Sequence, residues 1–142
     1  MDRVIEFSIN HPLLIGALLA VVAALVASEV MNFRRGRHAI DTADATRLYN
    51  HDAAVFVDVR NENAYQTSHL PGAINIPMEH IDKRQDRLKR FSDRTIVVYC
   101  DSGQRTLKAV QALQGQGWSE VRQLRGGINA WREASLPTEG RS

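Results

Sequence analysis

The sequence predicts an α/β domain on a mainly parallel sheet, preceded by one apolar helix of membrane-spanning length. Three observations support this. From Ala39 onward, short β-branched and aromatic runs alternate with segments of helical apolar spacing. Near the N-terminus, no side chain from Phe7 to Ser28 bears a formal charge. The chain's only cysteine, Cys100, stands between an apolar strand and a helix. With 142 residues there is room for one domain and an appendage, divided here as residues 1–38 and 39–142.

The appendage reads as a transmembrane helix. At 1.5 Å per residue the uncharged stretch reaches roughly 33 Å, enough for a hydrocarbon core of about 30 Å. Pro12 suits the first helical position, with Asn10 or His11 as cap. Arg34, Arg35 and Arg37 follow as a basic juxtamembrane linker, whereas residues 1 to 11 hold Asp2, Arg3 and Glu6. By the positive-inside rule, the C-terminal domain lies in the cytoplasm. The competing reading is a secretory signal cut after Ala27, but its first residues lack net positive charge, and the three arginines oppose translocation.

Within the domain, Asp41 or Thr42 caps a first helix with an apolar stripe of Ala45, Leu48 and Tyr49. A buried strand follows at Ala54 to Val59, and a second short one at Ala73 to Ile76. At Pro77 the spacing of Met78, Ile81, Leu88 and Phe91 predicts a helix; the mixed charges between them, from Glu79 to Arg90, read as its solvated face. Thr95 to Tyr99 is apolar throughout, as in a strand buried on both faces. From Thr106, Leu107, Val110 and Leu113 recur at helical spacing until Gly115 and Gly117. Val121 to Leu124 forms the last strand, Gly126-Gly127 turn into a short helix with Trp131 as a core plug, and the tail beyond Pro137 reads as loose.

A cysteine ahead of a helix N-terminus is placed to be a nucleophile, because the helix end and inward-facing loop N–H groups favour the attacking thiolate. Ser102 and Gly103 permit such a curled loop, and Arg105 adds a fixed positive charge able to hold an anion. The alternative for Cys100 is a small buried hydrophobe. One cysteine excludes an internal disulfide or a Cys-x-x-Cys pair, so an external acceptor must take whatever Cys100 receives. The five histidines lack ligand spacing, which predicts no metal, and the net charge of +2 argues against nucleic acid as a partner. Asp58 and Arg60 read as a buried ion pair at a strand end, and His69 as the fastening of the Leu70-Pro71-Gly72 turn.

Several motifs together resemble the rhodanese-like family of sulfurtransferases over about residues 39 to 138. They are Val57-Asp58-Val59-Arg60 with Ala64-Tyr65 and His69 to Pro77, then Tyr99-Cys100 with Gly103, Arg105 and Thr106, and finally Gly117-Trp118, Gly126-Gly127 and Trp131 to Pro137. The preceding helix resembles the anchor of single-domain rhodaneses tethered to the bacterial inner membrane.

The resemblance implies a three-layer fold and a two-step transfer through a persulfide on Cys100, without a cofactor. A small-molecule donor such as thiosulfate or a persulfide gives sulfur, and cyanide, a thiol or a partner protein accepts it. Substrate contacts would come from Asp101, Ser102, Gly103, Gln104, Arg105 and Thr106, with Thr106 equally able to serve its own helix start. Cysteine-dependent phosphatases of related fold need five residues between Cys and Arg and typically have His at the Tyr99 position; here there are four. A binding module that positions a partner at the membrane is the alternative from another class. Asp101 departs from the basic or neutral residue often found after the cysteine. If its carboxylate faces the pocket, at about 7 Å and an effective dielectric near 20 it costs an anion roughly 2 kcal/mol, which predicts modest thiosulfate activity.

Overall fold

The computed structural model describes residues 1–103 and 105–141, without the side chains of residues 2, 32 and 34–37. It divides into two units, Met1–Arg37 and His38–Ser142. The first contains two helices, α1 (Asp2–Asn10) and α2 (Pro12–Arg37). The chain leaves helical geometry only at His11, so the uncharged stretch is broken there and Pro12 opens the longer helix. Over Pro12–Met31 the mean hydropathy is 2.5, and this helix is long and apolar enough to cross a membrane. Helix α1 was not foreseen from the sequence.

The second unit runs β1 (Ala39–Ile40), α3 (Thr42–Asn50), β2 (Ala54–Asp58), α4 (Glu62–Thr67), β3 (Ile74–Asn75), β4 (Thr95–Tyr99), α5 (Thr106–Gly115), β5 (Val121–Leu124) and α6 (Gly127–Glu133). The strands form one parallel sheet in the order β1-β5-β4-β2-β3. Side chains alternate across it. Val55, Val57, Ile96 and Val98 point to a core layer with Ala109, Val110 and Leu113 of α5. Phe56, Val97 and Tyr99 point to the other layer, with Ala45 of α3 and Ile128 and Trp131 of α6. Burying each large aliphatic side chain contributes about 1.5–3 kcal/mol. Trp131 is 2% exposed, donates from Nε1 to the Pro137 carbonyl and meets Phe56 edge-on, in keeping with its reading as a core plug.

Local chemistry explains the boundaries. Asp41 caps α3 by accepting the Asp44 N–H, and Asn61 caps α4 by accepting the Ala64 N–H. The expected helix after Pro77 is instead two 3₁₀ segments, Met78–His80 and Gln85–Phe91. Only Ile81 and Leu88 of this stretch are fully buried, so too few core contacts reward a continuous α-helix, and Arg87 is held by the Asn75 carbonyl at 2.7 Å. The charges from Glu79 to Arg90 are exposed as expected.

The tail beyond Pro137 is not loose. His69 and Glu139 pair antiparallel through both backbone N–H groups, Glu139 Oε2 accepts the Gly72 N–H, and the Arg141 N–H bonds the Gln66 carbonyl. Gly140 lies so close to the Thr67 carbonyl that a Cβ would overlap it. His69 fastens its turn as read, with Nδ1 2.7 Å from the Tyr65 carbonyl and its ring stacked on Tyr65.

Candidate active site

Cys100 follows β4 immediately and continues the side of the sheet occupied by Ile96 and Val98, 5% exposed. The loop after it is held from below by the start of α6. The Ile128 N–H donates to the Cys100 carbonyl at 2.9 Å, and the Asn129 N–H to the Asp101 carbonyl at 3.1 Å. Gly127 makes this approach possible. Its φ is +58°, and a Cβ there would overlap the Cys100 carbonyl oxygen and lie 2.6 Å from that of Asp101.

Gly103, at φ +86°, turns its N–H inward to donate to Cys100 Sγ at 3.1 Å. Among the described residues, the loop thus places the Gly103 N–H on the sulfur. The Thr106 hydroxyl donates to the Gly103 carbonyl at 2.7 Å and lies 3.0 Å from the Gln123 side-chain amide. Thr106 is fully buried and is not among the described residues that line the cleft above the sulfur; its hydroxyl is engaged in holding the loop. Asp101, Ser102 and Arg105 do line that cleft. Gln104 lies outside the described residues.

The facing wall comes from the end of β2 and the start of α4: Val59, Arg60, Asn61 and Ala64. Two neighbouring parallel strands end at the same sheet edge, so the loops after β2 and β4 meet there. That register pairs Asp58 with Tyr99, and a buried network follows. Asp58 is fully buried; its carboxylate accepts from Arg60 Nε and Nη2, from the Arg60 backbone N–H, and from the Tyr99 hydroxyl at 2.7 Å. The Tyr99 oxygen in turn accepts the Leu70 N–H, and Arg60 Nη2 also donates to the Ser68 carbonyl.

Burial and the Asp58 charge push the Tyr99 phenol well above its ordinary range, so it stays neutral and donates. Burial alone would lower the Arg60 guanidinium, but the hydrogen bonds and charge of Asp58, with Tyr99 and Asp101, raise it. Arg60 is therefore the structural partner of Asp58 that its sequence position suggested and, in addition, a wall of the cleft. Its Nη1 lies 3.4 Å from Asp101 Oδ1, whose side chain is 70% exposed. The sequence reading missed Val59, Asn61 and Ala64; the available signal was the motif Val57 to Arg60 preceding Ala64 on the strand beside β4.

The cleft encloses about 200 Å³; around it, among the described residues, stand the sulfur, the Gly103 N–H, the arginines Arg60 and Arg105 and the Asp101 carboxylate. Such a constellation suits nucleophilic attack by sulfur on a small polar substrate. Among the described residues, no group of three or more His, Cys, Asp or Glu side chains could hold a metal ion.

Comparison with known proteins identifies the family. Residues 41–134 match the rhodanese-like domain. The chain is 28% identical over 138 residues to an Escherichia coli K12 protein called uncharacterized protein YibN, covering 96% of each. It is 36% identical over 91 residues to a sulfurtransferase of Allochromatium vinosum, covering 64% of this chain and 83% of that protein. The crystal structure of a rhodanese-related protein from Thermoplasma volcanium superposes with a TM-score of 0.63 at 30% identity, over 73% of this chain and 99% of the other. With the parallel sheet, the cysteine loop after β4 and this match across its α/β unit, the chain belongs to the rhodanese-like family.

Proposed function

We propose that this protein is a membrane-tethered sulfurtransferase that moves sulfane sulfur from thiosulfate or a persulfide donor, through a persulfide on Cys100, to a thiol, a sulfur-accepting protein or cyanide. The observation that supports this best is the Gly103 N–H at 3.1 Å from Cys100 Sγ, at the base of a cleft bordered by Arg60 and Arg105. A donor N–H on Sγ stabilises the negative charge that this atom carries as it attacks and again as it is released when the acceptor takes the sulfur. In the first step the Cys100 thiolate attacks the outer sulfur of thiosulfate, the new S–S bond forms as the donor's breaks, and sulfite departs with the electron pair. In the second step an external thiol or cyanide takes that sulfur and restores the thiolate. No side chain needs to act as general base. The length and hydropathy of the helix Pro12–Met31 support the tether, and the arginines at 34, 35 and 37 in the sequence support, by the positive-inside rule, a cytoplasmic domain at a bacterial inner membrane.

The test is the intact mass of the full-length protein in detergent, before and after thiosulfate or a small-thiol persulfide, beside Cys100→Ser. The expected result is a gain of one sulfur atom, absent in the variant and reversed by cyanide with release of thiocyanate. No gain with either donor would reject transfer and favour a binding module held at the membrane.

A further inference from the structure

We propose that Asp101 and Arg105 form a two-charge clamp across the Cys100 cleft that selects a zwitterionic α-amino-acid hydropersulfide over dianionic thiosulfate; this rests on the sulfur-transfer reading above. The argument starts from which charges a ligand meets. Arg60 lines the cleft, but the carboxylate of Asp58 sits 2.7 Å behind it, fully buried, and cancels its charge. Arg60 Nε and Nη2 are engaged with Asp58, and Nη2 also with the Ser68 carbonyl, so only Nη1 is left toward the cleft, where Asp101 Oδ1 stands at 3.4 Å. The remaining charges on the lining are the exposed Arg105 and the 70% exposed Asp101. Apart from the reacting Cys100, the other described lining residues, Val59, Asn61, Ala64 and Ser102, carry no charge, and the Asn61 side-chain oxygen is spent on its helix cap.

A cleft bearing one positive and one negative group beside the nucleophile gives a dianion no net attraction. It does match a molecule that presents an ammonium and a carboxylate on one carbon, the first to Asp101 and the second to Arg105. At about 200 Å³ the space is below the range for drug-sized ligands and suits one of amino-acid size.

The step balances without an outside oxidant. The Cys100 thiolate attacks the terminal sulfur of the protonated donor R–S–SH, and an S–S bond to Sγ forms as the donor's S–S bond breaks. The electron pair leaves on the inner sulfur as the amino-acid thiolate. Cys100 keeps S–SH, its sulfur oxidised by as much as the donor's inner sulfur is reduced.

The test measures initial rates of sulfur loading onto the full-length protein by intact mass, in wild type and Asp101→Asn. The donors are cysteine hydropersulfide, N-acetylcysteine hydropersulfide, which lacks the ammonium, and thiosulfate. Asp101 holds the loop through its backbone carbonyl, so the exposed side chain can change without unfolding it. Wild type is expected to favour the cysteine over the N-acetyl donor by about fivefold, the upper end of what one exposed ion pair supplies. Asp101→Asn should abolish that preference and speed thiosulfate by about the same factor. Equal rates for the two persulfides in wild type, or a preference that survives in Asp101→Asn, would overturn the clamp. Loading by none of the three donors in wild type would instead overturn sulfur transfer itself.

Discussion

Gly127→Ala is the sharpest probe of how the fold holds its nucleophile. The added methyl would overlap the Cys100 carbonyl oxygen and reach 2.6 Å from that of Asp101, with φ at +58°. Alanine in that left-handed conformation costs roughly 1 kcal/mol relative to glycine. Relieving the overlap means moving the loop away from α6, which breaks the bonds from the Ile128 and Asn129 N–H groups, at about 1 kcal/mol each. The expected loss is therefore about 3 kcal/mol, against a typical total stability of about 5–15 kcal/mol, so the variant still folds. Any remaining structure holds Sγ displaced from the Gly103 N–H, and a shift of about 1 Å at a reacting atom can cost about a hundredfold in rate. The assay pairs a urea melt followed by tryptophan fluorescence with the rate of sulfur loading by intact mass. Gly115→Ala is the control, since a Cβ there meets nothing within 4 Å. If Gly127→Ala unfolds within about 0.5 kcal/mol of wild type and loads sulfur at the same rate, the claim that α6 seats the loop is wrong.

Two further outcomes follow from the Asp58 network. Arg60→Met should cost about 3–5 kcal/mol in the same melt, because it leaves a fully buried carboxylate without its cation, and adding Asp58→Asn should restore at least half of that loss. Tyr99 titrates higher in the folded than in the unfolded chain, where a phenol ionises near pH 10, so its contribution is complete below about pH 10 and is lost as pH rises further. Tyr99→Phe should therefore lower stability near neutral pH by about 1–3 kcal/mol, through the orphaned Leu70 N–H and the lost Asp58 contact, yet flatten the alkaline decline by up to about 1.4 kcal/mol per pH unit. An alkaline slope unchanged by the substitution would show that Tyr99 is not the titrating group.

What could be read from the sequence was what is local. Val55 to Asp58 and Thr95 to Tyr99 are strands because β-branched runs buried on both faces have few other solutions, and α5 announces itself by the spacing of Val110 and Leu113. The loop with Cys100, Gly103 and Arg105 was legible for the same reason. The missed features depend on partners far away in the chain. Ala39-Ile40 becomes a strand only through β5, and the tail is ordered only because His69 and Gln66 offer it backbone groups. The 3₁₀ segments defeated a periodicity argument because four apolar residues at helical spacing do not reveal that only Ile81 and Leu88 reach full burial. Arg60 was half-read: its pairing with Asp58 is two residues long, whereas its place in the cleft depends on a loop 41 residues further on, at Asp101.

That last distance explains how stability and selectivity come to share one network. Asp58 and Tyr99 are register partners on adjacent strands, so the chain reaches the cleft just beyond each of them, at Cys100 after Tyr99 and at Val59 and Arg60 after Asp58. Fixing the buried carboxylate with both partners locks the two walls at the same sheet edge. On the clamp proposed above, the same pairing offsets Arg60 as an attractor of anions, which leaves Arg105 and Asp101, the latter 3.4 Å from Arg60 Nη1, as the exposed charges a ligand meets. Substitutions in the network should therefore move unfolding free energy first. Substitutions at the two exposed charges should move donor preference with almost no change in stability, since neither side chain is buried.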